Sequence, residues 1–398
     1  MSKIISVNAG SSSLKFQLFE MPSETVLTSG IAERIGLEEG IFTIKVNGEK
    51  HTKKLPIPTH NEAVDLLLKS LIEFGVVADL NEINGAGHRV VQGGDFFDQS
   101  VKVTPESTKI VEDLAELAPL HNPANLIGYR AFAKALPNIE HIFVFDTAFH
   151  QTMKPEAFMY PVPYEWYTDY KVRRYGAHGT SHQYVAEQTA KAMGKDIKDV
   201  NIITCHLGNG ASITAVEHGQ CVNTSMGFTP LAGVMMGTRC GDIDPAIVTF
   251  MQNKTNMTAD EINDILNKKS GMLGISGISS DARDIEDAVA EGNERAKLTH
   301  AIYVNRVVNV VGGYFMQMGS VDALAFTAGL GENDTLIREL ICKGLEKGLG
   351  LSMDYDLNKT IRGKEIVISK PDSKVTVWVM PTNEELVIAR DTVRILGL

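Results

Sequence analysis

The chain has 398 residues, 43% of them hydrophobic and 22% charged, with a formal net charge of -11 and a sequence pI near 5.5. That length exceeds one ordinary core and predicts two domains. The acidic balance excludes the electrostatic footprint of a nucleic-acid or anionic-membrane binder; no apolar run spans a bilayer and the first residues turn polar too early for a signal peptide, so a cytoplasmic protein is expected.

Residues 4–7 read as a strand, and residues 14–18 alternate like its hairpin partner. Between them stands Asn8-Ala9-Gly10-Ser11-Ser12-Ser13, followed by Leu14 and Lys15. Glycine lets backbone approach an anion, consecutive N–H groups form a nest, and Lys15 adds a point charge. Arg89 follows in a glycine-flanked run, Gly87-His88-Arg89-Val90-Val91-Gln92-Gly93-Gly94. A planar guanidinium so placed suits carboxylate or phosphate oxygens; a structural salt bridge is the bland alternative. The apolar run 141–145 ends at Asp146, and the first domain ends near residue 150. Residues 155–170, rich in proline and aromatics, read as a crossing segment. His178 precedes a helical pattern that starts near Ser181, beside a helix N-terminus suited to anions.

Residues 202–205 form another strand, and then come Leu207-Gly208-Asn209-Gly210-Ala211-Ser212. Ile4, Ile5 and Gly10 match Ile202, Ile203 and Gly208 at one constant offset, the trace of a duplicated strand–turn–strand unit. Two such turns can hold a polyphosphate. Arg239 repeats the glycine-flanked arginine in Met236-Gly237-Thr238-Arg239-Cys240-Gly241-Asp242. Ser279-Ser280-Asp281-Ala282-Arg283 and Gly329-Leu330-Gly331-Glu332-Asn333 read as pocket-lining loops, the second ending a strand over 323–327. The last strand, 375–380, leads to Thr382 and Glu385 at capping-box spacing. Leu386, Ala389, Val393 and Leu396 then share one helical face. Asp146 and Glu384, both after strands, are candidates to hold magnesium or its waters. The signatures of P-loop, dinucleotide-binding, zinc-protease and nucleophile-elbow enzymes are absent. Cys205, Cys221, Cys240 and Cys342 form no CxxC pair and read as buried thiols.

These blocks, with Leu120-His121-Asn122-Pro123, Phe145-Asp146-Thr147-Ala148-Phe149-His150 and His178-Gly179-Thr180-Ser181-His182, resemble the acetate kinase family in order from Asn8 to Glu384. The resemblance implies an α/β fold of two duplicated actin-like (ribonuclease H-like) domains with a cleft between them. Residues 1–149 would form one, with a helix at 384–398 packing back on it, and residues 150–383 the nucleotide-binding other. It implies reversible phosphoryl transfer between ATP and acetate, a homodimer, and Mg2+ or Mn2+ at Asn8 and Glu384. Arg89 and Arg239 would contact acetate and the moving phosphoryl group, Asp146 would be the essential acid, and His178 would stabilise the transition state. Lys15, His206, Leu207, Gly208, Asn209, Gly210, Asp281, Ala282, Arg283, Gly329, Leu330, Gly331, Glu332 and Asn333 would bind ATP or ADP. Val91, Leu120 and Pro230 would form the methyl pocket. Ala177, Gln92 and Asp95 depart from the family's usual Phe, His and Glu. Ala177 is expected to widen the acyl pocket, which keeps a propionate or other short-chain acyl kinase as the alternative. An actin-like ATP-binding regulator is the alternative of another class.

Overall fold

The computed structural model describes every residue of the chain except Leu120. The described residues form two units, 1–149 with 383–398, and 150–382.

In the first unit the strands are β1 (Ser2–Ala9), β2 (Ser13–Met21), β3 (Thr25–Glu33), β4 (Gly40–Val46), β5 (Glu49–Leu55), β6 (Ile83–Val90), β7 (Val101–Lys102) and β8 (Glu140–Phe145). Their sheet order is β5-β4-β3-β2-β1-β6-β8-β7. β1 to β5 form an antiparallel meander, whereas β1, β6 and β8 are parallel. Alternation along β1 sends Ile5 and Val7 to one face, where Leu67, Leu71 and Phe132 of the helices His60–Glu73 and Asn122–Ala135 join them. The opposite face receives the chain's last helix, Glu384–Leu396. Ser6 on β1 donates its hydroxyl to the carbonyl of Glu385 at 2.6 Å, and Ile388 packs on Ile142 and Val144 of β8.

That helix lies close because β6 offers glycines under it. A Cβ on Gly87 would overlap side-chain atoms of Ile388 and Thr392, and would stand 3.1 Å from the Ile388 carbonyl oxygen. Gly87→Ala is therefore expected to destabilise the protein by about 1–3 kcal/mol, the usual range for overpacking. Thermal melting of the variant checks it.

In the second unit β9 (Asn201–Leu207), β10 (Ala211–Glu217), β11 (Gln220–Thr224), β12 (Ala323–Thr327), β13 (Ile366–Val367) and β14 (Thr376–Val379) are ordered β11-β10-β9-β12-β14-β13. β9 is buried along its whole length. Ile202 faces the helix Gly179–Ala192 with Ala323, Ala325 and Trp378. Ile203 and Cys205 face the other way, with Tyr303, Val307 and Ile341 of the helices Glu294–Met318 and Thr335–Leu349. Burial pushes the thiols of Cys205, Cys221 and Cys342 up, out of the reactive range.

The orders β3-β2-β1-β6-β8 and β11-β10-β9-β12-β14 are the same, with the same strand directions: an antiparallel trio followed by two parallel additions. The weak repeat at 4–10 and 202–208 is thus the first strand and turn of each copy. This is the duplicated actin-like, ribonuclease H-like α/β fold. Among the described residues no helix is long and apolar enough to cross a membrane.

Candidate active site

In the first unit the ladder between parallel strands aligns two charges. Arg89 stands one residue before the end of β6, and the amide of Asp146, just past β8, donates to the Val90 carbonyl at 3.0 Å. Asp146 is 1% exposed and Arg89 20% exposed. The guanidinium grips the carboxylate with Nε at 2.9 Å from Oδ1 and Nη2 at 2.6 Å from Oδ2. Burial works against the Arg89 charge, but attraction to Asp146 outweighs it and holds the pKa above the usual arginine range.

Glu384 and Glu385 open the last helix beside this pair. Burial raises the Glu384 carboxyl above the usual range; Arg89 pulls it down, while Asp146 and Glu385 push it up. Lys15 lies 3.3 Å from Glu385. Three carboxylates here share two cations, and the part-buried Glu384 is held against its own charge. A divalent cation relieves that strain, and magnesium takes one or two carboxylates and keeps its waters. Asn8, paired with Lys15 in the β1–β2 ladder, shares its face of the sheet, and carboxylate and amide oxygens are the donor types magnesium takes. No group of three His, Cys, Asp or Glu side chains among the described residues makes an all-protein metal cage.

The helix is capped by Asn383, whose side chain accepts from the Leu386 amide at 3.0 Å, and not by Thr382. The Thr382 hydroxyl instead meets Ser181 Oγ at 2.8 Å, and Glu385 is engaged with Lys15. The segment after β6 is pinned by amides: Val91 N to Asn125 Oδ1 at 3.1 Å, Gln92 N to Asn122 Oδ1 at 3.1 Å, and Gly93 N to Thr147 Oγ1 at 3.0 Å. Val91 is buried beside it. Leu120 lies outside the described residues.

In the second unit His178 is the N-cap of the helix Gly179–Ala192, in the left-handed region at φ 61°. Such a backbone is uncommon for a side-chain-bearing residue. Its Nδ1 meets Ser212 Oγ at 2.9 Å, and its ring stacks on His206 with centroids 4.1 Å apart. Ser212 Oγ also meets His182 Nε2 at 2.7 Å, and His182 Nδ1 meets Thr204 Oγ1 at 2.6 Å. Burial pushes His182 well below the usual histidine range, so its ring is neutral.

Arg239 lies on the loop that Asn209 grips: the Gly237 amide donates to the Asn209 carbonyl at 3.0 Å, and a side chain on Gly237 would overlap the Asn209 amide. Arg239 Nη1 donates to the Pro230 carbonyl at 2.8 Å and points at Met236 Sδ at 3.6 Å. Among the described residues no carboxylate forms a salt bridge with it; burial alone pulls its pKa down, and arginine stays charged at neutral pH. Arg239 Nη2 and His178 Nε2 each lie 3.5 Å from where a Cβ on Gly210 would stand. The absent side chain of Gly210 thus leaves one small space bordered by a guanidinium and an imidazole.

The same unit holds a cavity of about 600 Å³ lined by Asn209, Asp281, Ala282, Arg283, Gly329, Leu330 and Asn333, together with Ser280, Glu286, Asp334 and Arg362. Its size is that of a small-molecule site. Asp281 caps the helix Ala282–Ala290 and is held bidentately by Arg283, which pushes its carboxyl down to about 2.

The acetokinase family model matches residues 3–390. The chain belongs to the acetokinase family. An acetate kinase of Geobacillus kaustophilus is 56% identical over the full length of both chains. The crystal structure of Porphyromonas gingivalis acetate kinase shares 47% identity and superposes with a TM-score of 0.95, all of both chains covered. A propionate kinase from Francisella tularensis shares 40% identity over 99% of this chain and all of its own, with a TM-score of 0.93.

Within this acetokinase-family chain the remaining expected residues take varied places. Leu207 and Gly331 are buried in the second unit. Gly208 donates its amide back to the Gly210 carbonyl at 3.0 Å, as Gly10 does to Ser13 at 2.8 Å, so neither amide is available to an anion. The Glu332 carboxylate ties strand ends together, accepting from the amides of Ala328 at 2.9 Å and Thr382 at 3.3 Å. His206 Nδ1 meets Ser181 Oγ at 2.7 Å. Ala177 is 3% exposed within the core of the second unit, its carbonyl 3.0 Å from His150 Nε2. Sequence reading missed His182 and Ser212 as the support of His178, and Glu286, Asp334 and Arg362 as cavity walls. Glu286 stands one helical turn beyond Ala282, a spacing that could have found it.

Proposed function

We propose that the chain catalyses reversible phosphoryl transfer between ATP and acetate, giving ADP and acetyl phosphate. The observation that carries this reading is Arg239, a part-buried guanidinium with no carboxylate partner among the described residues, bordering one space with His178. The names of the close relatives, acetate kinases and a propionate kinase, support the substrate class.

Acetate is already ionised at neutral pH, so no strong base is needed. The barrier is the approach of one anion to another, and catalysis is positioning plus charge stabilisation. Arg239 offers a planar fork to the incoming carboxylate and the phosphoryl oxygens. Pro230, whose carbonyl fixes that fork, and Val91 and Leu120 are proposed to receive the methyl group. His182 is neutral, and because the Thr204 hydroxyl donates to the Thr214 carbonyl, His182 donates from Nδ1 to Thr204 and accepts at Nε2 from Ser212. The serine oxygen then accepts from Nδ1–H of His178 and fixes that ring, and His178 in its imidazolium form donates from Nε2 to the transferring group. Ser212→Ala should lower kcat by about tenfold, the worth of one hydrogen bond near 1.4 kcal/mol, with the KM for ATP unchanged. A pH profile of kcat shifted in the same variant separates this role from a loss of fold.

Arg89 and Asp146 are proposed to hold the anionic end of the reactants and the ligand shell of Mg2+ or Mn2+, with Asn8 and Glu384 as the metal's protein donors. When bound, the metal would neutralise charge on the polyphosphate. ATP or ADP is proposed to occupy the cavity at Asp281–Arg283 and Gly329–Asn333, with Lys15, His206, Leu207, Gly208 and Gly210 nearest its phosphates in function. A homodimer in the cytoplasm is proposed from the family resemblance. A second reading, a propionate or butyrate kinase, is favoured by the Francisella relative and by Ala177 in place of phenylalanine.

Hydroxamate formation with ATP, hydroxylamine and a panel of acetate, propionate and butyrate tests all of this. Acetate is expected to give the highest kcat/KM. A higher value for propionate selects the second reading, and ATP hydrolysis without any acyl hydroxamate overturns both. Ala177→Phe, in the packed core, should cost about 1–3 kcal/mol of stability and raise the acetate-to-propionate ratio if that core wall reaches the acyl group.

A further inference from the structure

The chain passes between the two units twice, at Phe149–His150 and at Thr382–Asn383. Within the 150–382 unit both ends are fastened to one short segment, Ala177–Ser181, which carries His178. His150 is fully buried, and its Nε2 stands 3.0 Å from the Ala177 carbonyl oxygen. A carbonyl only accepts, so this nitrogen carries a proton and donates. The ring is closely fitted: Nδ1 lies 3.2 Å from Cys221 Sγ, and a Cβ on Gly176 would stand 2.6 Å from His150 Cδ2. Two residues on, Thr152 donates its hydroxyl to the Cys221 carbonyl at 2.8 Å and holds the same end of the chain. At the other crossing the Thr382 hydroxyl meets Ser181 Oγ at 2.8 Å. Ser181 Oγ meets His206 Nδ1 at 2.7 Å, and the His206 ring stacks on that of His178.

The Ala177 carbonyl belongs to the peptide plane whose rotation about the next N–Cα bond is φ of His178. That φ is 61°, a strained value that persists only where the surroundings over-determine it. A hydrogen bond on the Ala177 carbonyl does so directly. We propose that His150 and Thr382 are positioning residues for His178. His150 fixes its backbone through the Ala177 carbonyl, and Thr382 fixes its ring through Ser181 and His206. Neither touches the reactants, and the inference rests on the role given to His178 in the proposed reaction. His178 Nε2 borders the space beside Gly210, so a small shift of this peptide moves the donor itself. A misplacement of about 1 Å costs up to about 10²-fold in rate. The two residues at which the chain enters and leaves this unit thus also set its imidazole.

The test is steady-state kinetics of the full chain by hydroxamate formation, with thermal melting to confirm the fold. His150→Met fills the space without a donor and should lower kcat by about tenfold or more, with the KM for ATP unchanged. His150→Gln, whose amide donates where Nε2 did, should recover most of the loss. Thr382→Val keeps the shape and removes the hydroxyl; it should lower kcat by about fivefold, the worth of one hydrogen bond, and stands in where His150→Met folds poorly. Both losses should vanish in a His178→Ala background, because a residue that acts through His178 has nothing to position once the ring is gone. A merely structural residue would keep its cost there. Losses that persist in full in that background overturn the proposal, as does His150→Gln turning over as slowly as His150→Met. Parent rates in His150→Met and Thr382→Val, with His178→Ala impaired, overturn this inference alone. A parent rate in His178→Ala overturns it together with the role given to His178.

Discussion

Replacing Arg239 by alanine is expected to lower kcat by about 10³-fold or more, with the affinity for ATP changed by no more than a few-fold. Removing one fixed donor aimed at developing charge costs roughly 10²–10³ in rate, and a guanidinium at a phosphoryl group is worth roughly 10³–10⁵. Arg239 belongs at the upper end because nothing else on its loop carries positive charge to the space beside Gly210. The loss should appear in kcat, since the cavity proposed for the nucleotide, at Asp281–Arg283 and Gly329–Asn333, is not lined by this side chain. Stability should change little. The guanidinium holds a carbonyl and a thioether rather than a carboxylate, so no buried charge is orphaned when it leaves. Arg239→Lys keeps the charge but not the fork, and an intermediate rate is expected. Steady-state kinetics with calorimetric ATP titration decides it; turnover within tenfold of the parent in the alanine variant would take Arg239 out of the mechanism.

Much of this arrangement is legible in the sequence because it sits at strand ends, where the pattern changes abruptly. Asp146 follows four apolar residues, Ile142 to Phe145, and the turns at 8–15 and 206–212 are punctuated by Gly, Ser and Asn. What stays hidden has physical causes. β5 (Glu49–Leu55) is charged and half-exposed, so its pairing with β4 leaves no apolar signature. Thr382 satisfies the spacing of a capping box, yet its hydroxyl is drawn to Ser181, two hundred residues away, and local spacing cannot see such a competitor. The left-handed backbone of His178 is invisible because histidine carries no glycine-like signal for it. Glu286, Asp334 and Arg362 reach the cavity from a helix, a helix cap and a loop with no shared motif; only the folded chain brings them together.

Arg89 poses the opposite case, for its partner is as informative as itself. Arg89→Met leaves Asp146 almost fully buried with no guanidinium, next to Glu384 and Glu385. Breaking such a pair from one side costs about 3–5 kcal/mol, because the remaining charge is uncompensated. Removing Arg89 also removes the attraction that lowers the Glu384 carboxyl, which burial already raises. A carboxyl raised in the folded state binds its proton more tightly there than in the unfolded chain. Stability then falls as pH rises through the unfolded value toward the folded one, so the Arg89→Met deficit should shrink in mild acid and be largest at neutral pH. Adding Asp146→Asn removes the orphaned charge and should recover most of the lost stability. It should not recover turnover, expected to be down about 10³-fold in both, if the guanidinium also serves the reactants. Urea melts at two pH values and hydroxamate rates on the single and double variants separate the two roles. Full activity in the double variant would make Arg89 only the counter-ion of Asp146.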